Sequence, residues 1–314
     1  MSHPTWILSE GYAGLQAQAL GLAEAAGLTP DTRVLKPAGL WKNIPARLWP
    51  RPMSVVADAL RAPIPDLAIG CGGMAGAVLA ALRKTGRRVV QVQNPRMRVE
   101  KFDLVVANTH DELTGPNVIV ARTALHRVTQ ARLTAEAEVW RDRLAGLKRP
   151  LVAVLLGGNN GRYTLDTDAG GKLAADLAAM ARRDGVGIAV TPSRRTDPAV
   201  TALMREALAP VGGWVWDFTG ENPYFGMLAL ADAIVVTQDS VSMISEASAT
   251  AAPVMFAPLP GKSRRQGIFI DTMMNEGRVR PFEGRFAPWP VSPLNDTPAV
   301  AAEMCRRFGL EDPK

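Results

Sequence analysis

The chain has 314 residues, of which 47% are hydrophobic and 21% charged, and a formal net charge of +6. That length exceeds what one hydrophobic core usually organises, so two domains are expected of a folded, soluble protein. Two cysteines with neither CxxC nor Cys/His spacing exclude a disulfide framework and a zinc site, and scattered basic residues without an aromatic-basic repeat exclude a nucleic-acid partner. What remains for the positive charge is an anionic small molecule or an anionic membrane face. The opening "MSHPTWILSEGYAG" lacks a basic region followed by an apolar one, and no apolar run reaches membrane-spanning length. A cytoplasmic protein is therefore expected, with any membrane contact peripheral.

In chain order, "TWILSE" (5–10) reads as a strand before "GYAGLQAQALGLAEAAGL", where Leu15, Ala19, Leu22 and Ala26 recur at helical spacing. "PDLAIGCGG" (65–73) leads into the helix "MAGAVLAALRKTG", ended by Gly86. "RRVVQVQNP" (87–95), "FDLVVAN" (102–108) and "NVIVAR" (117–122) are short valine-rich runs, and "TAEAEVWRDRLAGLKRP" (134–150) is a charged helix stopping at Pro150. The pattern then restarts with "LVAVLLGGNNG" (151–161), a helix over about 170–184, "GVGIAVTPSRR" (185–195) and a helix over about 197–209. "GWVWDFTG" (213–220), "ADAIVVTQDS" (231–240) and "APVMFAPLPG" (252–261) follow, and "TPAVAAEMCRRFGL" (297–310) is one amphipathic helix. Alternating strands and helices predict parallel sheets covered on both faces. The expected division is 1–147, 148–290 and a terminal segment 291–314.

In such sheets ligands sit at the carboxyl ends of strands, where glycine turns let backbone amides approach phosphate. Four turns qualify: "SEGYAGLQ" (9–16) with Gly11 and Gly14, "GCGGMAG" (70–76) with Gly73, "GGNNGRY" (157–163) with Gly158, Asn159 and Asn160, and "TQDSVSMISE" (237–246). Each alone is equally a tight strand-to-helix turn; together they favour a cleft between domains. A Walker sequence is absent, and no acidic ribose ligand follows "VQVQNP", which disfavours P-loop enzymes and dehydrogenases. Asp239 or Ser240 can cap a helix starting near 241. A cap leaves Glu246 unexplained, one to two turns into a small, apolar helix. The helix start, with Ser240 and Ser242, can receive a diphosphate, and Glu246 can accept two ribose hydroxyls. Ser193, Arg194 and Arg195 in "SRRT" (193–196) hold phosphate or form a solvated loop. His110, Asp111 and Glu112 read as a polar loop of no function, Phe282, Phe286 and Trp289 as inter-domain packing, and Met273 and Met274 as core or interface.

"DSVSMISE" (239–246), then Pro253 and "VMFAPLPGKSRRQ" (254–266), resembles the donor-site signature of GT-B glycosyltransferases. It is particularly similar to the N-acetylglucosaminyltransferase that completes the lipid-linked peptidoglycan precursor. The resemblance puts Glu246 on the ribose glutamate, Arg265 and Gln266 on or beside the sugar-binding loop, and Ser240 where the relative has glycine. "IGCGGMAGAVLAALRKTGRRVVQVQNP" (69–95) resembles that family's glycine turn, helix and strand, placing Asn94 at the cleft. "VLLGGNNG" puts Asn159 where serine is usual, and "NVIVART" matches a segment with a donor-contacting arginine, here Arg122. Nearly the whole chain is similar to bacterial relatives of the plant elongated-mitochondria fission protein, described as candidate glycosyltransferases.

This resemblance implies an α/β, GT-B-like fold: two Rossmann-like domains facing a cleft, with the C-terminal helix packing back on the first. It implies transfer of a sugar from a nucleotide diphosphate-sugar to a lipid-linked or cell-envelope glycan acceptor, without a further cofactor, by a protein peripheral at the inner membrane. A non-catalytic scaffold or a nucleotide-sugar epimerase on the same fold is the alternative. "DTD" (166–168) lies away from the pyrophosphate turn, so a metal is not expected. Glu10, at the end of the first strand, is the first candidate for the catalytic base and equally a charge partner for a helix start; His110 and Asp111 come next.

Overall fold

The computed structural model describes residues 4–310. Residues 1–3 and 311–314, at the outer ends of the expected first domain and terminal segment, lie outside the described residues. The chain forms two compact units: residues up to Arg127 together with those from Asn295 onward, and Val128–Leu294.

The first unit begins with β1 (Pro4–Ser9), α1 (Ala13–Ala25), β2 (Thr29–Val34) and the single turn α2 (Pro52–Val55). It continues with β3 (Leu67–Cys71), α3 (Gly73–Arg83), β4 (Arg88–Val92), β5 (Leu104–Asn108) and β6 (Val118–Ala121). The second unit runs α4 (Gln130–Leu144), β7 (Leu151–Leu156), α5 (Thr167–Asp184), β8 (Gly187–Pro192), α6 (Pro198–Leu208) and β9 (Trp214–Val215). It closes with α7 (Tyr224–Leu230), β10 (Ala233–Thr237), α8 (Val241–Ser248), β11 (Val254–Ala257), α9 (Arg264–Asn275) and β12 (Val279–Pro281), before α10 (Thr297–Phe308) rejoins the first unit.

Each unit holds one six-stranded sheet, ordered β2-β1-β3-β4-β5-β6 in the first and β12-β11-β10-β7-β8-β9 in the second. Neighbouring strands pair parallel throughout, with Ile7 opposite Thr32 and Ile69, and Val154 opposite Val190 and Val235. β3, β5, β7, β8 and β10 are buried along their whole length, which is why they read as continuous apolar runs without alternation. α10 packs Val300, Ala301, Met304 and Cys305 against Ala19, Leu22 and Ala23 of α1, so the terminal helix does return to the first unit.

The boundary falls ahead of α4, whereas 147/148 placed it behind. Leu133, Trp140 and Leu144 of that helix join Leu151, Leu155, Met227 and Leu228 in the second unit's core. α4 also starts earlier than residue 134, because the Thr129 side chain accepts from the Arg132 amide at 3.1 Å and caps it. β2 and β12 carry no sequence signal of their own. β2 ("TPDTRV") is a polar edge strand whose place is set by its partner β1. The expected strand over 213–220 shrinks to two residues, since Asp217 Oδ1 accepts from the Thr219 amide and turns the chain. Phe282 is buried in the second unit's own core, with Phe286 and Trp289 packed against it, in place of the inter-domain packing expected of them. Met273 is buried and Met274 exposed.

Candidate functional site

In an open parallel sheet the crevice for a ligand opens where the strand order reverses direction. In the second unit that point lies between β7 and β10, and one side chain occupies it. The wholly buried Asp239 carboxylate accepts from the Gly158 amide at 3.0 Å through Oδ2 and from the Thr237 hydroxyl at 2.7 Å through Oδ1. Arg195 Nη2 reaches Oδ2 at 2.9 Å as its counter-ion, and the Gly157 amide donates to Thr237 Oγ1 at 2.7 Å. The paired glycines exist for this approach. A Cβ on Gly157 would lie 2.2 Å from Asp239 Oδ2, and one on Gly158 would lie 2.1 Å from the Arg195 carbonyl. The Gly158 amide is thus bonded to Asp239, which corrects the expectation that this amide is open to phosphate.

The neighbouring loops are tied to the same turn. Ser193 and Thr196 donate their hydroxyls to the Gly157 carbonyl at 2.6 and 2.5 Å. Asn159 Oδ1 accepts from the Leu165 amide at 2.8 Å; Asn160 accepts from Tyr163 at 2.9 Å and donates to the Asp239 carbonyl at 3.0 Å. Both asparagines therefore build the loop. The Thr164 amide donates to Pro260 and Lys262 to Arg162, at 2.9 and 3.2 Å, which sets the loop after β11 beside the one after β7. Ser240 caps α8 by accepting from the Met243 amide at 3.3 Å, and Ser242 lies in the first turn. In the first turn of α9, Gln266 is buried and donates to the Gln238 carbonyl, while Arg265 is exposed. The result is one edge of one unit, at the carboxyl ends of β7, β8, β10 and β11, carrying Arg162, Arg194, Arg195, Lys262 and Arg265.

Glu246 sits in the second turn of α8 and is 8% exposed. Burial pushes its carboxyl up to about 7, and the Tyr224 hydroxyl at the start of α7 donates to it. Burial, then the neighbouring carboxylate, pushes the Tyr224 hydroxyl well above its ordinary value. Asp239's pairing with Arg195 and Tyr224's with Glu246 were not foreseen; the signal for Tyr224 was an aromatic opening a short helix behind a proline.

In the first unit the order reverses between β1 and β3, and again a carboxylate bridges the point. Glu10 Oε1 accepts from the Met74 amide in the first turn of α3 at 2.7 Å. Gly72, at φ +102, leaves it room, since a Cβ there would lie 2.5 Å from that oxygen. Gly73 opens α3, Gly14 lies within α1, and the Gly11 amide donates to Ser9 Oγ at 3.1 Å. Asn94 Oδ1 accepts from the Arg96 amide at 2.8 Å within its own loop. Arg122, expected to touch the donor, is instead committed to Asp296: its amide lies 2.6 Å and its Nη2 2.5 Å from that carboxylate, tying β6 to the start of α10. Asp111 Oδ2 accepts from the Asn108 amide at 3.1 Å, so this acid closes a buried turn. Among the described residues, no three His, Cys, Asp or Glu side chains gather as a metal site.

Known proteins share this architecture. The solved structure of MurG from Acinetobacter baumannii superposes with a TM-score of 0.51 at 15% identity, over 98% of this chain and 90% of that one. The S. aureus MnaA–UDP structure gives 0.56 at 12% identity, over 98% and 88%. At such identities the likeness is one of fold, and the fold is GT-B-like. The mitochondrial fission protein ELM1 of Arabidopsis thaliana is 30% identical over 273 residues, 77% of this chain; the chain spans 64% of that relative's length. The sequence profile described as mitochondrial fission ELM1 matches residues 13–308, and the chain belongs to that family.

Proposed function

We propose that the chain is a metal-independent glycosyltransferase whose second unit holds a nucleoside diphosphate-sugar. The observation that carries this reading is the edge built around Asp239: its buried carboxylate, paired with the exposed Arg195, locks the turn at the switch point, and the loops fastened to it present cations and the α8 start. Helix amides and fixed guanidinium groups stabilise the charge that develops on a departing diphosphate. Arg195 is held by Asp239, so its part is to set the loop; of that pair, exposed Arg194 is the one open to phosphate. Glu246 keeps one oxygen on Tyr224 and offers the other to a ribose hydroxyl. The 48% exposed Phe218 ring, tilted 42° to Trp216 with ring centroids 4.9 Å apart, offers an aromatic face to a nucleobase. The UDP present in the MnaA structure makes a uridine nucleotide the first to test. A lipid-linked or cell-envelope acceptor suits the net charge of +6.

The test is a thermal-shift series with nucleoside diphosphates and their sugar conjugates, on the wild type and Arg194→Ala. A ligand at a hundredfold its Kd adds about 2.7 kcal/mol to native stability. One diphosphate should raise Tm in the wild type and not in Arg194→Ala, whose own Tm stays unchanged. No shift with any nucleotide at millimolar concentration would make the chain a scaffold, and an isomerised sugar released without acceptor would make it an epimerase.

A further inference from the structure

We propose that residues 36–51 of the first unit form a docking surface for an anionic lipid bilayer. The segment reads "KPAGLWKNIPARLWPR": Lys36, Lys42, Arg47 and Arg51 with no acidic residue among them. All four cations are exposed and have no partner among the described residues. Between them Leu40, Ile44 and Leu48 stand 83%, 37% and 63% exposed. Single exposed apolar side chains are ordinary on protein surfaces, but these three fall within nine consecutive residues whose charged members, Lys42 and Arg47, are both cations.

The segment is tied to the unit beneath it. Trp49 is buried and donates its indole N–H to the Ile44 carbonyl at 2.9 Å, and the Ala38 amide donates to Val55 at 3.3 Å. Trp41, Ala46 and Met53 pack against the core cluster that contains Trp6, Leu35 and Val55. The two tryptophans therefore anchor short 3-10 turns at Gly39–Asn43 and Ala46–Leu48, while Leu40 and Leu48 within those turns and Ile44 between them stay exposed. Apolar side chains framed by lysine and arginine suit the boundary between headgroups and acyl chains, where the leucines bury and the cations meet lipid phosphate. No described helix is long and apolar enough to cross a membrane, so contact through this segment would be monotopic. A second copy is the less fitting occupant. A two-fold contact through this surface would set its cations against their own images, with no acid in the segment to answer them.

The test is flotation of the full chain with vesicles of phosphatidylcholine alone and of phosphatidylcholine with phosphatidylglycerol. Three proteins are compared: wild type, Leu40→Ser/Leu48→Ser and Lys42→Glu/Arg47→Glu, each checked for an unchanged Tm. The wild type should float with the anionic vesicles only and be released by high salt. Each double variant should lose about tenfold or more of its vesicle partitioning, the first by losing apolar burial and the second by reversing charge. Wild type that stays at the bottom of the gradient overturns the proposal, as do variants that float like wild type. So does a lipid-free dimer, seen by sedimentation velocity, that both variants dissolve, since the surface would then serve a second copy.

Discussion

Glu246 carries the largest resolved carboxyl shift of the candidate site, and its sign makes a prediction. Its native value, about 7, lies above the ordinary 4.5, so the folded state holds a proton that the unfolded state has released. Stability from this group is therefore full below pH 4.5 and is lost as pH rises to about 7. Glu246→Gln keeps an acceptor for the Tyr224 hydroxyl and removes the titration. Urea unfolding at pH 8 should find the variant more stable by up to about 3 kcal/mol, with the difference gone at pH 4.5. A constant offset at both pH values would deny the buried carboxyl its role. Glu10 poses a different question. As a cap for α3 it needs only an oxygen, which glutamine supplies; as a base it needs a carboxylate. If it caps, Glu10→Gln keeps turnover within severalfold while Glu10→Ala loses about 1 kcal/mol of stability. A hundredfold fall in kcat for Glu10→Gln at unchanged Tm would restore it as the base. From the sequence the two roles look alike, because a carboxylate after a strand has the same neighbours in either; the partner amide lies 64 residues away.

At the scale of elements, legibility followed burial. β7 and β10, covered on both faces, announced themselves as apolar runs, whereas β2 and β12 at sheet edges carry mixed residues and acquire their conformation from the strand they pair with. α4 was visible as a helix, yet which core it joined was not, since Leu133, Trp140 and Leu144 could cover either sheet. Its contact with α7 makes this testable. A Cβ on Gly226 would lie 2.2 Å from Trp140 Cγ, so Gly226→Ala forces the two helices apart. Urea denaturation should show a loss of about 1–3 kcal/mol, the usual cost of overpacking. An unchanged midpoint would detach α4 from the second unit's core.

For the whole molecule, the two units differ in how the chain supplies them. Val128–Leu294 is continuous and encloses two clusters, one on each face of its sheet. Expressed alone, that segment should unfold in one cooperative transition and keep the nucleotide-dependent Tm shift. The first unit is discontinuous and borrows Val300, Ala301, Met304 and Cys305 from beyond the second. A chain ending at residue 294 should therefore lose the first unit's transition in calorimetry and keep the second's. Loss of both would show that the second unit does not fold independently.

Much of this protein is settled by local sequence: which segments are strands or helices, that they alternate, and that glycine turns follow β1, β3 and β7. These depend on periodicity and turn chemistry within a dozen residues. Tertiary structure alone decided what those turns do. Gly157 and Gly158 were recognisable as a turn, but they make way for a carboxylate from the loop after β10 and a carbonyl from the loop after β8. Arg122 belongs to Asp296, 174 residues away, and that pairing exists only once α10 has returned to the first unit. Hydrogen bonds and ion pairs of buried groups are chosen by whatever the fold brings within reach, and at these separations the sequence pattern holds no record of the partner.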